Sequence, residues 1–184
     1  MKHRLIARRL TYIFLALLII GCTEEETTEP TDENTLLYSS FEENGKFSSD
    51  GWTLPTQSDS SSDVPSGGGK FSLVLEASQP PEVFAQIKVP VKTEFNEFKL
   101  TFWSKSNGVT SDINAKAILS LVRNGSILKS QSILIDQIDW RSFSMQDTFN
   151  VAEGDSFMVQ LSGGMHQLLS LETYFDLCIL YGVD

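Results

Sequence analysis

Apolar and polar residues alternate with a period of two along most of the chain after residue 70. The clearest segment runs from Phe98 to Trp103, where every second residue up to Phe102 is large and apolar. Because successive side chains of a strand point to opposite faces, this pattern predicts strands with one buried face. The same pattern recurs at residues 71–75, 83–89, 115–121, 143–145, 157–161 and 175–181, and residues 127–132 are the predicted strand that returns after the Asn124-Gly125 turn. Many short strands of this kind predict an all-β protein, an antiparallel sandwich or barrel.

Turn signals separate these segments. Asn124-Gly125 suits a tight hairpin turn, because both positions of such a turn require positive φ. Gln57–Gly69 is rich in Ser and Gly, and we expect a mobile or ligand-binding loop there. Residues 165–172 are the one stretch whose pattern is compatible with a helix, although the preceding Gly163-Gly164 favours a loop.

The first 22 residues have the features of a targeting sequence. Met1–Arg9 is basic, and Leu10–Ile20 is an apolar run shorter than the roughly 20 residues that span a bilayer. The run ends in Ile19-Ile20-Gly21-Cys22, which resembles the lipobox of bacterial lipoproteins. That resemblance implies removal of residues 1–21 and attachment of acyl chains such as palmitate to Cys22, which would anchor the chain to a membrane. The alternative is an ordinary signal peptide.

Residues 22–34 form a predicted tether. Six acids, no base and almost no apolar side chain leave this segment unable to bury enough surface to fold. Glu24-Glu25-Glu26 resembles the acidic export signal of surface lipoproteins in the Bacteroidota, and a plain periplasmic spacer is the alternative. The predicted location is therefore the outer membrane of a bacterial cell envelope. The domain would face the cell exterior if the acidic signal acts in export, and the periplasm if it does not.

Charge and composition exclude several functions for residues 35–184, the predicted domain. The whole chain carries 14 basic and 24 acidic residues, so its net charge of -10 argues against nucleic-acid binding. Without residues 1–21, His166 is the one histidine, and no nucleophile-elbow or P-loop motif occurs. Cys178 lies in an apolar strand, where packing is its expected role. We predict a protein that is not an enzyme.

Several short motifs in order resemble the galactose-binding-like jelly rolls, which include several families of carbohydrate-binding modules. The motifs are Ser40-Phe41-Glu42, Gly51-Trp52, the run from Ser66 to Leu73, residues 98–103, Trp140-Arg141-Ser142-Phe143 and Tyr174-Phe175-Asp176-Leu177. The resemblance covers nearly all of residues 36–183 and implies an antiparallel β-sandwich of jelly-roll type. Such a fold hosts binding modules, enzyme appendages and protein-contact domains alike.

The resemblance also implies a structural Ca²⁺ held by Glu42 and Asp176 together with backbone carbonyls. Calcium takes six to eight oxygen ligands, so two carboxylates and loop carbonyls would suffice, and the ion would join the first and last strands. Leu177 stands where the fullest family pattern has a second acid. The alternative is that Glu42 is solvated and that Asp176 accepts a backbone hydrogen bond.

The residues on the polar side of the 98–103 strand are candidates for binding an oligosaccharide or polysaccharide. Trp103 shares that side with Lys99, Thr101 and Lys105, and a large aromatic ring on a polar face suits stacking on a sugar. His166 is a further candidate contact. Trp52 and Trp140 are expected to pack against the core. Trp103 could instead lie under a loop, and the sandwich could dock onto a protein of the cell envelope.

Overall fold

The computed structural model of the protein describes residues 33–108, 114–165 and 171–183. Every regular element in these ranges is a β-strand, and none of the described residues forms a helix long and apolar enough to cross a membrane. The strands are β1 (Thr35–Ser39), β2 (Glu42–Glu43), β3 (Lys46–Phe47), β4 (Ser58–Ser61), β5 (Ser72–Glu76), β6 (Ala85–Pro90), β7 (Glu97–Ser106), β8 (Lys116–Arg123), β9 (Ser126–Leu134), β10 (Arg141–Thr148), β11 (Ser156–Ser162) and β12 (Glu172–Val183).

The strands form two main antiparallel sheets. The first sheet has the order β10-β7-β12-β5-β4, with β1 also paired to β12, and the second has the order β6-β11-β8-β9. A separate small hairpin joins β2 and β3. This is the predicted jelly-roll sandwich, and the expected pairing of the first and last strands is present.

The core lies between the two main sheets and follows the alternation in the sequence. Phe98, Leu100 and Phe102 on β7 are at most 1% exposed, whereas the intervening residues are half-buried on the opposite side. Phe98 contacts Phe157 of the second sheet, with ring centroids 4.6 Å apart, and both rings pack edge-on against Phe149. Burial of these rings is the main force that holds the sheets together.

The strand β12 changes partners at Asp176. Residues 172–175 pair with β5, and residues 178–181 pair with β1 on the same side. The register with β7 shifts between Asp176 and Ile179, and Leu177 adopts a φ of 49°, a conformation that a branched side chain rarely takes. Asp176 therefore lies between the first residue of β5, Ser72, and the last residue of β1, Ser39.

Two turn predictions have different outcomes. Asn124 and Gly125 have φ values of 50° and 80°, so the predicted tight hairpin between β8 and β9 is confirmed. The prediction of a loop throughout residues 57–69 is wrong in its first part, because β4 pairs with β5 there. The ladder hydrogen bonds to β5 hold Ser58–Ser61 extended despite their low intrinsic strand propensity.

An ion pair at the end of β8 gives a pH prediction. Both Asp155 oxygens accept hydrogen bonds from the Arg123 guanidinium at 2.7 Å, and these bonds lower the pKa of Asp155, a residue that is 4% exposed. A pKa that is lower in the folded state means that the pair stabilises above about pH 4 and is lost as the pH falls through the folded pKa. We expect Asp155→Asn to lower the melting temperature at neutral pH and to change it much less near pH 2. Equal losses in thermal melts at both pH values would contradict this.

Candidate functional site

One face of the first sheet carries nearly all of the described tryptophan and tyrosine side chains. We call the side of the first sheet that points away from the core the outer face. Of six described residues of these two types, only Trp52 lies in the core, 8% exposed. The other five are half-buried on or beside the outer face: Tyr38, Trp103, Trp140, Tyr174 and Tyr181.

The predicted binding residues of β7 lie together on this face. Lys99, Thr101, Trp103 and Lys105 alternate with core residues, as the sequence pattern predicts. The strand register places their neighbours on β10 and β12. Trp103 lies opposite Ser142 and Asp176, Thr101 opposite Ser144 and Ile179, Lys99 opposite Gln146 and Tyr181, and Lys105 opposite Tyr174. Tyr38 of β1 extends this face beside Ile179.

Lys105 is packed between aromatic rings rather than projecting into solvent. Its ammonium lies 4.8 Å from the ring centroid of Tyr174 and 5.5 Å from that of Trp140, and the two rings are edge-to-face. The same ammonium forms a salt bridge with Asp63, so its charge is neutralised. Lys105 therefore fixes the two rings, and one of its three N–H donors is already engaged with Asp63.

The prediction that Trp140 caps the core is wrong. Its indole Nε1 donates to Asp63 Oδ1 at 2.9 Å, and the ring lies against Tyr174 and Lys105 on the outer face. The Asp63 carboxylate satisfies the indole N–H, so Trp140 has a hydrogen-bond partner at this position outside the core. The hydrogen bonds from Lys105 and Trp140 lower the pKa of Asp63.

Tyr174 is fixed by a second carboxylate. Its hydroxyl donates to Glu172 Oε2 at 2.6 Å, and the Asn107 side-chain amide donates to the same oxygen. The bond to Glu172 raises the pKa of Tyr174 to about 12, so the phenol is neutral and its ring orientation is restrained. The rings of Tyr174 and Trp140 are thus preorganised before any ligand arrives.

Glu42 and Asp176, the predicted calcium ligands, are brought together at the gap between β5 and β1. Asp176 is 0% exposed, its Oδ1 accepts from the Leu177 amide at 2.7 Å, and its Oδ2 is buried without a hydrogen-bond partner. Burial, and next the charge of Glu42, raise the pKa of Asp176 to about 7. A buried carboxylate with a bare oxygen beside a second carboxylate has the chemistry of a cation site.

The backbone around the two carboxylates fits such a site. Phe41, directly before Glu42, has a φ of 53°, and Leu177, directly after Asp176, has a φ of 49°. Both values lie in the left-handed region, which costs free energy for a bulky residue. Such strain is typical of functional sites, and here it occurs directly beside each candidate ligand. A Cβ atom on Gly68 would lie 2.6 Å from Asp176 Oδ2, so only glycine lets the loop approach so closely.

Residues Glu42 and Asp176 would hold Ca²⁺ together with carbonyl oxygens. In the described part of the chain no group of three or more His, Cys, Asp or Glu side chains converges, so the remaining ligands would come from the backbone and water. A shallow pocket of about 370 Å³ opens at Glu42 and gives access from solvent. Its lining includes Tyr38, Ser40 and Leu177.

Two predicted site residues lie outside the described residues. Cys22, the predicted lipidation site, belongs to residues 1–32, and His166 belongs to residues 166–170. Cys178 is fully buried, and burial raises the pKa of its thiol, in agreement with the predicted packing role.

The sequence gives no role to Asp63, Tyr174 or Tyr181, whereas Tyr38 is a candidate polar contact to a glycan. For Tyr174 the signal is its place between Thr173 and Phe175, which are both buried. For Tyr181 the alternation predicts the same face as Phe175, and this is wrong because the register shift after Asp176 turns Tyr181 to the outer face. Asp63 offered no local signal, since its partners Lys105 and Trp140 are 42 and 77 residues away.

The comparisons with known proteins give the fold. No protein-family profile matches the chain, and no curated protein sequence matches it. Among solved structures, TmCBM61 in complex with β-1,4-galactotriose is 15% identical, covers 83% of this chain and 100% of its own, and has a TM-score of 0.54. The CBM22-1 xylan-binding domain of Paenibacillus barcinonensis Xyn10C is 18% identical, covers 82% of this chain and 96% of its own, and has a TM-score of 0.53.

A larger chain also matches. The α-L-arabinofuranosidase MgGH51 is 15% identical over 72% of this chain with a TM-score of 0.49, and the protein spans only 23% of the length of that enzyme. The two carbohydrate-binding modules described above show that the described residues adopt a jelly-roll β-sandwich that is also seen in such modules.

Proposed function

We propose that the protein binds a glycan, without cleaving it, on the outer face of the first sheet. The observation that carries the proposal is the concentration of aromatic side chains: five of the six described Trp and Tyr residues lie half-exposed on or beside that face. The similarity to carbohydrate-binding modules supports the same function, because two of the matching structures bind galactotriose or xylan.

The chemistry of binding follows from the arrangement of rings and polar groups. The apolar C–H face of a sugar would stack on Trp103, whose neighbours on β10 and β7 supply hydroxyls and amides for the sugar hydroxyls. These neighbours are Ser142, Ser144, Thr101 and Gln146. The Trp140–Tyr174 pair at one end and Tyr181 at the other would extend contact to further sugar units, so an oligosaccharide or polysaccharide is the expected ligand.

The carboxylates near the rings support a binding function over a catalytic one. Asp63 is bonded to Lys105 and Trp140, Glu172 is bonded to Tyr174, and Asp176 is buried beneath the loop that contains Gly68. A glycosidase needs two carboxyl groups that face a sugar from opposite sides of the bond it cleaves. Asp63 and Glu172 are thus engaged in holding the rings, and Asp176 is buried away from the surface on which a sugar would lie.

The remaining parts of the proposal concern the ion and the anchor. We assign Glu42 and Asp176 to a structural Ca²⁺ that joins the first and last strands. Acyl chains on Cys22 would hold the protein at the outer membrane of a bacterial envelope, and residues 23–34 would let the sandwich reach outward, to the surface if Glu24–Glu26 act as an export signal.

One observation favours a second candidate, docking onto a protein of the envelope. Within the described ranges, the large hydrophobic residues that are more than half exposed all lie on β9 or in the loop after it: Ile127, Leu128, Leu134 and Ile138. Strand β9 is the edge of the second sheet, and an exposed apolar edge strand can pair with a strand of another protein.

The experiment that tests glycan binding is affinity electrophoresis of the purified protein in gels containing soluble polysaccharides, after a glycan-array screen. We expect Trp103→Ala to weaken retention by about tenfold or more, because loss of a stacking ring at a binding hot spot costs 2 kcal/mol or more. Leu134→Ala, an exposed apolar truncation on the other sheet, is the matched control and should bind as the parent does.

Circular dichroism and melting temperature would show that both variants are folded. Retention that Trp103→Ala leaves unchanged would place the glycan elsewhere on the molecule. Failure to bind any glycan, together with a defined envelope protein that co-purifies and is lost in Leu134→Lys, would favour the docking function.

A further inference from the structure

A single loop joins the two carboxylates of the candidate cation site to the aromatic rings of the outer face. The loop, residues 63–70, connects β4 to β5 and lies against the outer face. Its first residue holds the rings, and its last three residues lie against Glu42 and Asp176.

The ring end of the loop is fixed by three contacts of Asp63. Its carboxylate accepts from the Trp140 indole at 2.9 Å and pairs with the Lys105 ammonium, while its backbone carbonyl accepts from the Ser72 hydroxyl at 2.7 Å. Ser72 is a fully buried residue of β5, so this hydrogen bond ties Asp63 directly to the first sheet. Any displacement of Asp63 would move the Trp140 ring and the Lys105 ammonium that lies against Tyr174.

The other end of the loop lies directly against the carboxylates of Glu42 and Asp176. Gly68 approaches Asp176 so closely that there is no room for a Cβ atom, Gly69 does the same at Glu42, and the Lys70 amide donates to Glu42 Oε2. The Gly68 amide donates to the Pro65 carbonyl at 2.9 Å, which makes a tight turn between the two ends. Movement of either carboxylate therefore has to move the loop.

We propose that Ca²⁺ at Glu42 and Asp176 regulates glycan binding through residues 63–70, with Asp63 as the positioning residue for Trp140 and Lys105. The inference rests on the proposed function. A bound cation draws the two carboxylates together, whereas without it two like charges stand next to each other beside the loop. Because Asp176 lies opposite Trp103 in the strand register, the ion also lies directly beside the centre of the binding face.

Coupling of this kind is reciprocal. If calcium tightens glycan binding by a given factor, glycan tightens calcium binding by the same factor. We expect the dissociation constant for the glycan to be about fivefold or more lower in calcium than in chelator, the lower end of usual coupling between sites.

The test follows the indole N–H signals of the protein by ¹H–¹⁵N NMR while calcium chloride alone is added. Trp140→Phe identifies the Trp140 signal, which reports the hydrogen bond to Asp63. In the parent protein this signal should shift on calcium binding. In Asp63→Asn calorimetry should still detect calcium binding, but the Trp140 signal should no longer respond and the effect of calcium on glycan affinity should be lost.

Asp59→Asn is the matched control, because Asp59 is an exposed acid on β4 whose carboxylate accepts only from the neighbouring Ser60 amide among the described residues. This variant should behave as the parent does. Calcium binding that leaves the Trp140 signal and glycan affinity unchanged would overturn the coupling, as would failure of calcium to bind. A calcium-dependent Trp140 signal in a protein that binds no glycan would leave the loop coupling standing and reject the glycan-binding function alone.

Discussion

Removal of calcium with a chelator is expected to lower the melting temperature by about 5–10 °C. A ligand present at 100 times its dissociation constant stabilises the folded state by about 2.7 kcal/mol. In a domain of this size each kcal/mol moves the melting temperature by roughly 2–4 °C. The ion would act at the junction of β1, β5 and β12, so its loss should loosen both ends of the domain.

The variant Asp176→Asn gives a sharper test, because its effect on the melting temperature should have opposite signs with and without calcium. Without calcium, and at a pH above the Asp176 pKa of about 7, the neutral amide removes a buried charge that lies next to Glu42, so the variant should melt at the same temperature as the parent or higher. With calcium, the variant lacks one ligand and should melt lower than the parent. Asp59→Asn removes an exposed charge and should follow the parent in both conditions.

The measurement is a set of thermal melts of the three proteins in calcium chloride and in chelator. Magnesium at the same concentration controls for screening by a divalent cation. A parent protein whose melting temperature is the same in all three solutions has no calcium-dependent stability. Equal responses of the parent and of Asp176→Asn would instead place the ion at a different site.

The strand pattern could be predicted from the sequence wherever one face of a strand is buried. On β7 and β11 the core residues are large and apolar and their neighbours are mostly polar, so the alternation indicates both the strand and its inner face. Strand β4 could not be predicted, because Ser58–Ser61 contains no apolar residue and is extended only through its pairing with β5. Local sequence carries no information about such a partner.

The site could be predicted only in part, for a related physical reason. The position of Trp103 followed from alternation, and the pairing of Glu42 with Asp176 followed from the resemblance to jelly rolls. The hydrogen bond between Asp63 and Trp140 joins residues 77 positions apart, and neither residue has a neighbour that signals the contact. The resemblance to jelly rolls instead predicts core packing for Trp140, because a tryptophan at this position of the family commonly caps the core.

Phe98→Ala is expected to destabilise the protein by about 3–5 kcal/mol, the usual cost of removing a fully buried aromatic ring. Phe98 is 0% exposed, and its ring contacts Phe157 of the second sheet at 4.6 Å as well as Phe95 and Phe149. Its removal leaves a cavity between the sheets that these rings cannot fill without moving the backbone. The free energy of unfolding in urea, with Leu134→Ala as an exposed control within about 0.5 kcal/mol of the parent, measures the loss.

Comparing variants at Phe98 and Trp103 tests whether the inner face of β7 serves stability and its outer face serves binding. Phe98→Ala should lower stability yet keep most glycan affinity at a temperature where the variant is folded, because the ring faces the core. Trp103→Ala should lose affinity and keep most stability, because its ring faces outward and is half-buried. If both variants lose affinity in proportion to their loss of stability, the outer face of β7 supports the fold and the glycan site lies elsewhere.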